Sequence, residues 1–469
     1  MTTGSLSGLL VANALYLVIG VALLPLLRIV DTRNALLARL GVAYMLGVAA
    51  TGILSAHLAL VGVAIGLPEL VVLAVVLGIF AVRRTRRLPS DTLSLGRFST
   101  REPVAVASAA VGGASLLAAF VLLAQAARAY AVRPLIEWDG WAIWAMKARA
   151  LYDFGGASHG IFTTQPYGPL QHPLFLPALE AIGFRAMGAF DGTLIHVQLA
   201  LLAFGFAAGL WSLLRERVPA ALAGATILAI AAADSTLRQL ASNLADVPLA
   251  FFVALGVVAL ARWLLEEDAR LLPVAALFLG AATLMKPEGL LFALAAFAAA
   301  LVAGGASRLR GTLLAGVAVV LILLPWRIFV AAHHLENPEY SLGDALRPSY
   351  LSGRSERLHP ALAGVWHQVW SSGWGWLVPL ALVAFVAALL ASRWRLAGFA
   401  AAWAVLSFGG IVLVFWISVV PIELTLRWAA YRTVASLVLG AAALAPLLAG
   451  EAWAASEVGG FAGRSSAGA

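Results

Sequence analysis

Apolar residues in this chain fall into long blocks separated by short polar breaks. The blocks run at about 8–28, 38–65, 69–82, 104–127, 192–214, 219–233, 243–263, 271–285, 288–304, 312–332, 374–392, 397–419 and 432–450. A helix that crosses a bilayer needs ~20 predominantly apolar residues, because the hydrocarbon layer is about 30 Å thick. The pattern therefore predicts an all-α polytopic membrane protein with about 13 transmembrane helices. The blocks at 219–233 and 271–285 are short, and either can instead belong to a re-entrant pair. Nothing shows the short-period alternation of a membrane barrel.

Composition agrees: 62% of residues are hydrophobic and 12% charged, with a mean hydropathy of +0.94. A soluble domain carries about 25% charged residues. With no cysteine there is no disulfide and no thiolate metal site. The first ten residues lack the basic start and small-residue cleavage site of a signal peptide, so the first block is expected to stay as a helix. The net charge of +8 comes from arginines in short turns and implies no nucleic-acid partner. No Gly-rich phosphate loop, nucleotide fingerprint or zinc motif is present, which argues against an ATP-driven pump and a zinc protease.

Those arginines orient the chain. Arg83, Arg84, Arg86, Arg87, Arg97 and Arg101 crowd one loop, which the positive-inside rule places in the cytoplasm. Alternating from there, the turns carrying Arg215 and Arg217, Arg262 and Arg270, Arg308 and Arg310, and Arg393 and Arg395 fall on the same side. The opposite, exterior face receives 128–190, 234–243 and 333–373. Four regions result: three N-terminal helices and the basic loop (1–103), a central module containing exterior loop 128–190 (104–332), an exterior loop rich in Arg and Trp (333–373), and the last helices with a loose Gly/Ser/Ala-rich tail (374–469).

The first exterior loop holds the densest chemistry. Arg133-Pro134-Leu135-Ile136-Glu137-Trp138-Asp139-Gly140-Trp141 sets two carboxylates two residues apart among tryptophans. If this stretch is extended, Glu137 and Asp139 point to one side; if helical, they diverge and Asp139, beside Gly140, is favoured. Trp138, Trp141, Trp144, Ala148 and Leu151 recur at helical spacing, as in a short helix lying in the membrane interface, with Lys147 and Arg149 off the stripe. A Pro-rich return follows, from Gln165 through Tyr167 and His172 to Pro177, too stiff for a helix. His172 and Tyr167 are candidates to face a cavity.

Further along, Asn243-Leu244-Ala245-Asp246-Val247-Pro248 opens a helix with an acid, and Thr283-Leu284-Met285-Lys286-Pro287-Glu288-Gly289 forms a Lys-containing turn. Taken with the Glu-x-Asp pair, the interfacial helix and the Pro-rich return, their order resembles the GT-C class of glycosyltransferases. The closest likeness is to the branch of protein O-mannosyltransferases and lipid A aminoarabinose transferases, over about 104–370. The resemblance implies a polyprenyl-phosphate sugar donor, a glycan, lipid or protein acceptor, and inversion at the anomeric carbon. In that class the catalytic loop usually follows the first helix; here it follows the fourth, so the first three helices have no role to carry over.

Within that reading Asp139 is the candidate base for the acceptor hydroxyl and Glu137 the second choice. The departing phosphate needs cations. The chain has only two lysines, Lys147 and Lys286, and Lys286 lies at membrane depth, where an ionisable group is a functional candidate. Arg347, Arg354 and Arg357 sit in the third exterior region against the positive-inside bias, as if held there for phosphate. Asp234, Asp246 and Glu288 are candidate cavity residues, and Asp139 with Asp246 would share a divalent cation if one is used. The expected setting is a prokaryotic plasma (inner) membrane with the site on the exterior, in contact with membrane lipids. The competing class is a transporter or lipid flippase, which would place its ionisable groups at mid-membrane on broken helices.

Overall fold

The computed structural model describes residues 4–89, 103–164, 169–340 and 342–465. Tyr167, Arg97 and Arg101 lie outside the described residues. Helices account for 80% of the chain, and the described residues include no strand. Three N-terminal helices, α1 (Leu6–Leu26), α2 (Arg33–Leu60) and α3 (Leu67–Thr85), precede α4 (Pro103–Tyr130). Ser5 and Thr32 cap the first two by accepting hydrogen bonds from Gly8 N and Ala35 N. Gly20 and Gly47 let α1 and α2 touch backbone to backbone, since a Cβ at Gly20 would stand 1.7 Å from the Ala43 carbonyl oxygen. Inside the membrane Asn13, Tyr44 and Gln198 join α1, α2 and the later helix carrying Gln198 through hydrogen bonds of 2.6–3.1 Å.

The segment after α4 passes through a π turn (Gly140–Ala145) into α5 (Met146–Phe154) and then α6 (Phe175–Met187). There follow α7 (Ile195–Leu214), α8 (Ala220–Ala232), α9 (Asp234–Leu240), α10 (Asp246–Glu266), α11 (Leu271–Met285), α12 (Glu288–Gly304) and α13 (Leu309–Ala332). The region 333–373 holds α14 (Leu342–Ala345), α15 (Pro348–Ser352) and α16 (Ser355–Val369). The chain closes with α17 (Leu377–Leu390), α18 (Trp394–Ile417), α19 (Ile422–Thr425), α20 (Tyr431–Thr433) and α21 (Ala435–Ser465).

Each predicted apolar block coincides with a helix, but the expected number of spans, 13, is not confirmed. Among the described residues, eight helices are long and apolar enough to cross a membrane, or ten if two bent pairs each count as one span. The block at 219–233 continues into α9 across a bend of 57°. At 15 and 17 residues, α11 and α12 are short of a full crossing. The second bent pair turns by 106° between α16 and α17, so α16 lies across the bundle axis as an interfacial helix does. The tail expected to be loose is helical as far as Ser465.

At the centre stands α10, whose apolar window is fully buried. It packs against α11, α21, α7 and α12, so nothing but protein surrounds it. The helix begins with Asp246 and ends with Glu266, and the two ends of the bundle differ in chemistry. At the Glu266 end, in the arginine-rich turns, the Arg262 guanidinium is bound by Glu266 at 2.6 Å and Glu216 at 2.7 Å. Arg39 pairs with the same Glu216 at 3.0 Å and Arg217 with Glu266 at 3.2 Å, which fastens α2, the α7–α8 turn and α10. Arg262→Ala would leave two carboxylates without their shared cation, and is expected to lower stability by about 3 kcal/mol, read as a drop in thermal midpoint in detergent.

Candidate active site

The other end of the bundle collects the acidic loop. Pro134 keeps residues 133–136 out of a helix, and exposure alternates along the stretch. Glu137 and Asp139 are half-buried, while Trp138 between them is 52% exposed. The chain bends at Glu137 and is helical by Asp139, and Gly140 opens the π turn. Gly140 fits because its Cα rests on the next segment: a Cβ there would stand 2.4 Å from the Ser242 carbonyl oxygen. The wider π turn also divides the tryptophan stripe. Trp138 and Trp141 face outward, whereas Trp144, Lys147, Ala148 and Leu151 are buried.

Asp139 forms an ion pair with Arg432 of α20, 293 residues away in sequence. Asp246, the first residue of α10, is bound by Lys286 Nζ at 2.8 Å, and the same ammonium lies 3.3 Å from Glu288 Oε1. Lys286 sits in extended backbone between α11 and α12, where Pro287 starts the next helix and aims its side chain back at α10. Arg432 is within electrostatic reach of Asp246 as well as Asp139. Glu339, exposed at the mouth, acts on and is acted on by Glu288, Lys286, Asp139 and Arg432. Five distant stretches thus deliver one cluster of acids and cations. Buried within it, Asp246 Oδ2, Glu288 Oε2 and Arg432 Nε have no hydrogen-bond partner.

Beside the cluster, Lys147 is 4% exposed and donates to the carbonyl oxygens of Pro169, Leu170 and His172 at 3.0, 3.2 and 2.9 Å. No carboxylate joins it, and burial pulls its pKa down to about 7. The ammonium therefore pins the Pro-rich return and does not point at the acids. His172 stands edge-on to Trp144 at 5.3 Å. Burial, followed by the Lys147, Lys286 and Arg432 charges, holds its pKa well below the usual imidazole value, so the ring is neutral. Its Nδ1 is buried without a partner.

The remaining candidates are engaged elsewhere. Asp234 pairs with Arg238 at 2.8 Å on the surface. Arg347 meets Asp344 at 3.2 Å, while Arg354 and Arg357 each donate at 2.6 Å to the carbonyl oxygens of Ser418 and Val420, sewing α15 and α16 to the end of α18. Reading the sequence misses Arg432 and Glu339. For Arg432 a signal exists: with Arg427 it stands at the exterior start of the last apolar block, against the positive-inside bias.

A divalent cation shared by Asp139 and Asp246 fits poorly. Asp139 is held by a guanidinium and Asp246 Oδ1 by an ammonium, whereas such an ion takes six or more oxygens. Among the described residues no group of three or more His, Asp or Glu side chains is arranged to hold a metal ion.

The sequence model of the dolichyl-phosphate-mannose-protein mannosyltransferase family matches residues 171–329. That stretch holds the end of the Pro-rich return, α6, Asp246, Lys286 and Glu288, while Asp139 and Arg432 flank it. No curated protein and no solved structure matches the chain. The family match bears out the resemblance read from the motifs and indicates an integral membrane glycosyltransferase of the GT-C type.

Lys147 yields a test with a defined sign. Its folded pKa is lower than that of the unfolded chain, so the unfolded state binds more protons between about pH 7 and 10 and stability rises with pH there. Lys147→Met strands three carbonyls and is expected to destabilise the fold by about 1–3 kcal/mol. Across a pH series of thermal unfolding curves, the advantage of wild type over the variant is expected to grow from pH 7 upward.

Proposed function

We propose that this protein transfers a sugar from a polyprenyl-phosphate donor to a hydroxyl acceptor at the exterior end of the bundle, with inversion. The observation that carries the reading is the Asp139–Arg432 pair beside Asp246–Lys286, four side chains from four segments gathered at one end of a fully buried helix. The family match over 171–329 supports the donor class. The end opposite the arginine-rich turns is exterior by the positive-inside rule.

Each group then has a task. Asp139, paired with Arg432, takes the proton of the acceptor hydroxyl as that oxygen attacks the anomeric carbon. The bond from that carbon to the phosphate oxygen breaks, and its electron pair leaves with the phosphate. Arg432 brings an unpaired Nε–H and Lys286 an ammonium, and both stabilise the charge that builds on the leaving group. Arrival of the donor phosphate draws Arg432 toward it and leaves the Asp139 carboxylate open to the acceptor hydroxyl. Asp246 Oδ2 and Glu288 Oε2, buried and unpartnered, accept hydrogen bonds from sugar hydroxyls. Glu137 flanks Asp139 and supplies further negative charge at the acceptor side.

The test is turnover of purified protein on a panel of polyprenyl-phosphate sugars. Asp139→Asn is expected to lose roughly 10²–10⁴-fold in kcat, the contribution of a positioned general base. Arg432→Gln is expected to lose kcat as well. An Asp139→Asn variant as fast as wild type would remove Asp139 from the role. Flux of the sugar lipid across proteoliposomes with no product formed would support a transporter.

A further inference from the structure

Arg354 and Arg357, which the sequence offers to the donor phosphate, are spent on a bend in the backbone, and that bend leads to Arg432. Between the end of α18 and the start of α19 the chain passes through Ser418 at φ −56°, ψ 141° and Pro421 at φ −50°, ψ 132°. Backbone of this polyproline type makes no hydrogen bonds within itself, and Pro421 has no N–H to give. The carbonyls of the helix end and of the bend therefore need donors from elsewhere.

One neighbouring stretch supplies them. Tyr350 Oη donates to the Ile417 carbonyl at 2.8 Å, Arg354 Nη1 to that of Ser418 at 2.6 Å, and Arg357 Nη2 to that of Val420 at 2.6 Å. The exchange runs both ways. Trp416 Nε1 donates to the Arg354 carbonyl at 2.9 Å, and Val419 N to the Glu339 carbonyl at 2.7 Å. The Arg354 guanidinium also lies over the Tyr350 ring at 4.5 Å, so two of the three donors brace each other. Ile417 and Ser418 are buried, which leaves little room for water to replace these side chains.

From Ile422 the chain continues as one helical span to Ala455, through a π turn (Leu426–Ala430) and then Arg432. A helix passes on the place and tilt of its first turn, so fixing the bend fixes the direction from which Arg432 reaches Asp139. Helix α16 touches the π turn as well: a Cβ on Gly364 would stand 2.6 Å from Leu426 Cδ2.

We propose that Tyr350, Arg354 and Arg357 are positioning residues for Arg432. They hold the bend at 417–420, the bend sets the start of the helical span, and the span delivers the guanidinium to the Asp139 carboxylate. Their value to catalysis rests on the reading of Arg432 as a cation for the leaving phosphate.

The chain has no cysteine, so Val61→Cys at the end of α2 and Trp428→Cys in the π turn provide one pair of spin labels. These positions are 72% and 58% exposed. In protein reconstituted in lipid nanodiscs, pulsed electron paramagnetic resonance is expected to give one narrow distance. Arg354→Ala with Arg357→Ala should spread it, and lysine at both positions, which still donates, should restore it. Tyr350→Phe removes a single oxygen and no charge, so it tests the bend even if the double variant does not fold; it too should broaden the distance. Without the labels, the double alanine variant is expected to lower kcat on dolichyl phosphate mannose about tenfold to a hundredfold, and Tyr350→Phe to lower it in the same direction. A distance that stays narrow in all these variants overturns the proposal. So does a spread distance with full kcat in a protein that loses kcat on Arg432→Gln. If Arg432→Gln itself turns over as wild type while the distance spreads as expected, the leaving-group reading of Arg432 fails and the anchoring of its helix stands.

Discussion

Charges taken out of water need each other. Moving a single ion into a protein interior costs several kcal/mol even after relaxation, and only a close counter-charge with good geometry offsets it. Asp246 and Lys286, with side chains 4% and 10% exposed, meet that demand by their contact at 2.8 Å. Asp139 and Arg432, at 29% and 14%, meet it in the same way. Because the partners come from the loop after α4, the start of α10, the α11–α12 turn and α20, the requirement fixes how these elements converge. The central helix can be apolar between its charged ends since Asp246, at its first turn, is answered by Lys286 and by the positive end of the helix dipole, and Glu266, at its last, by Arg262.

The same constraint gives the three N-terminal helices a purpose that no motif suggested. They form the wall against which α6 packs: the Ser5 amide donates to the Met187 carbonyl at 2.9 Å, and the Phe175 ring fills the space above Gly52. With Lys147 gripping three carbonyls of the Pro-rich return, α6 is held from both ends. A segment of only 13 residues, buried at every position but Arg185, would gain little from its own helix propensity and needs such a wall. In effect the extra helices stiffen the loop on which Asp139 is mounted.

How far the sequence could be read follows from the range of the forces involved. Helix positions were legible because hydrophobic blocks are a local signal. The number of crossings was not, since α8, α11 and α12 are short and their depth is set by neighbours. Asp246, Lys286 and Glu288 could be singled out because polar groups in apolar surroundings stand out without tertiary knowledge. Arg432 could not be tied to Asp139, as the contact spans 293 residues and nothing local marks it. Helix α6 was hidden inside a Pro-rich stretch that reads as irregular. The tryptophan stripe departs from a period of 3.6 for a geometrical reason: the π turn shifts the register and carries Trp144 and Lys147 inward.

The two ends of the bundle put their charges to different use. In the arginine-rich turns the acids are matched to guanidiniums, as Glu216 and Glu266 are to Arg39, Arg217 and Arg262. Such a network clamps helices. At the other end, the buried carboxyl oxygens left without partners among the described residues belong to Glu180, Asp246 and Glu288 alone. An unfilled acceptor buried in protein is destabilising by about 1–3 kcal/mol, and a structure built only for stability would remove it. Strain of this kind concentrated at one end is what a binding site requires: a ligand rich in hydroxyl donors relieves it on arrival, so part of the ligand's affinity is stored in the protein beforehand. On the proposed reading, a sugar's hydroxyls would fill the acceptors of Asp246 and Glu288, and the guanidinium with its spare Nε–H would meet the phosphate that carries it.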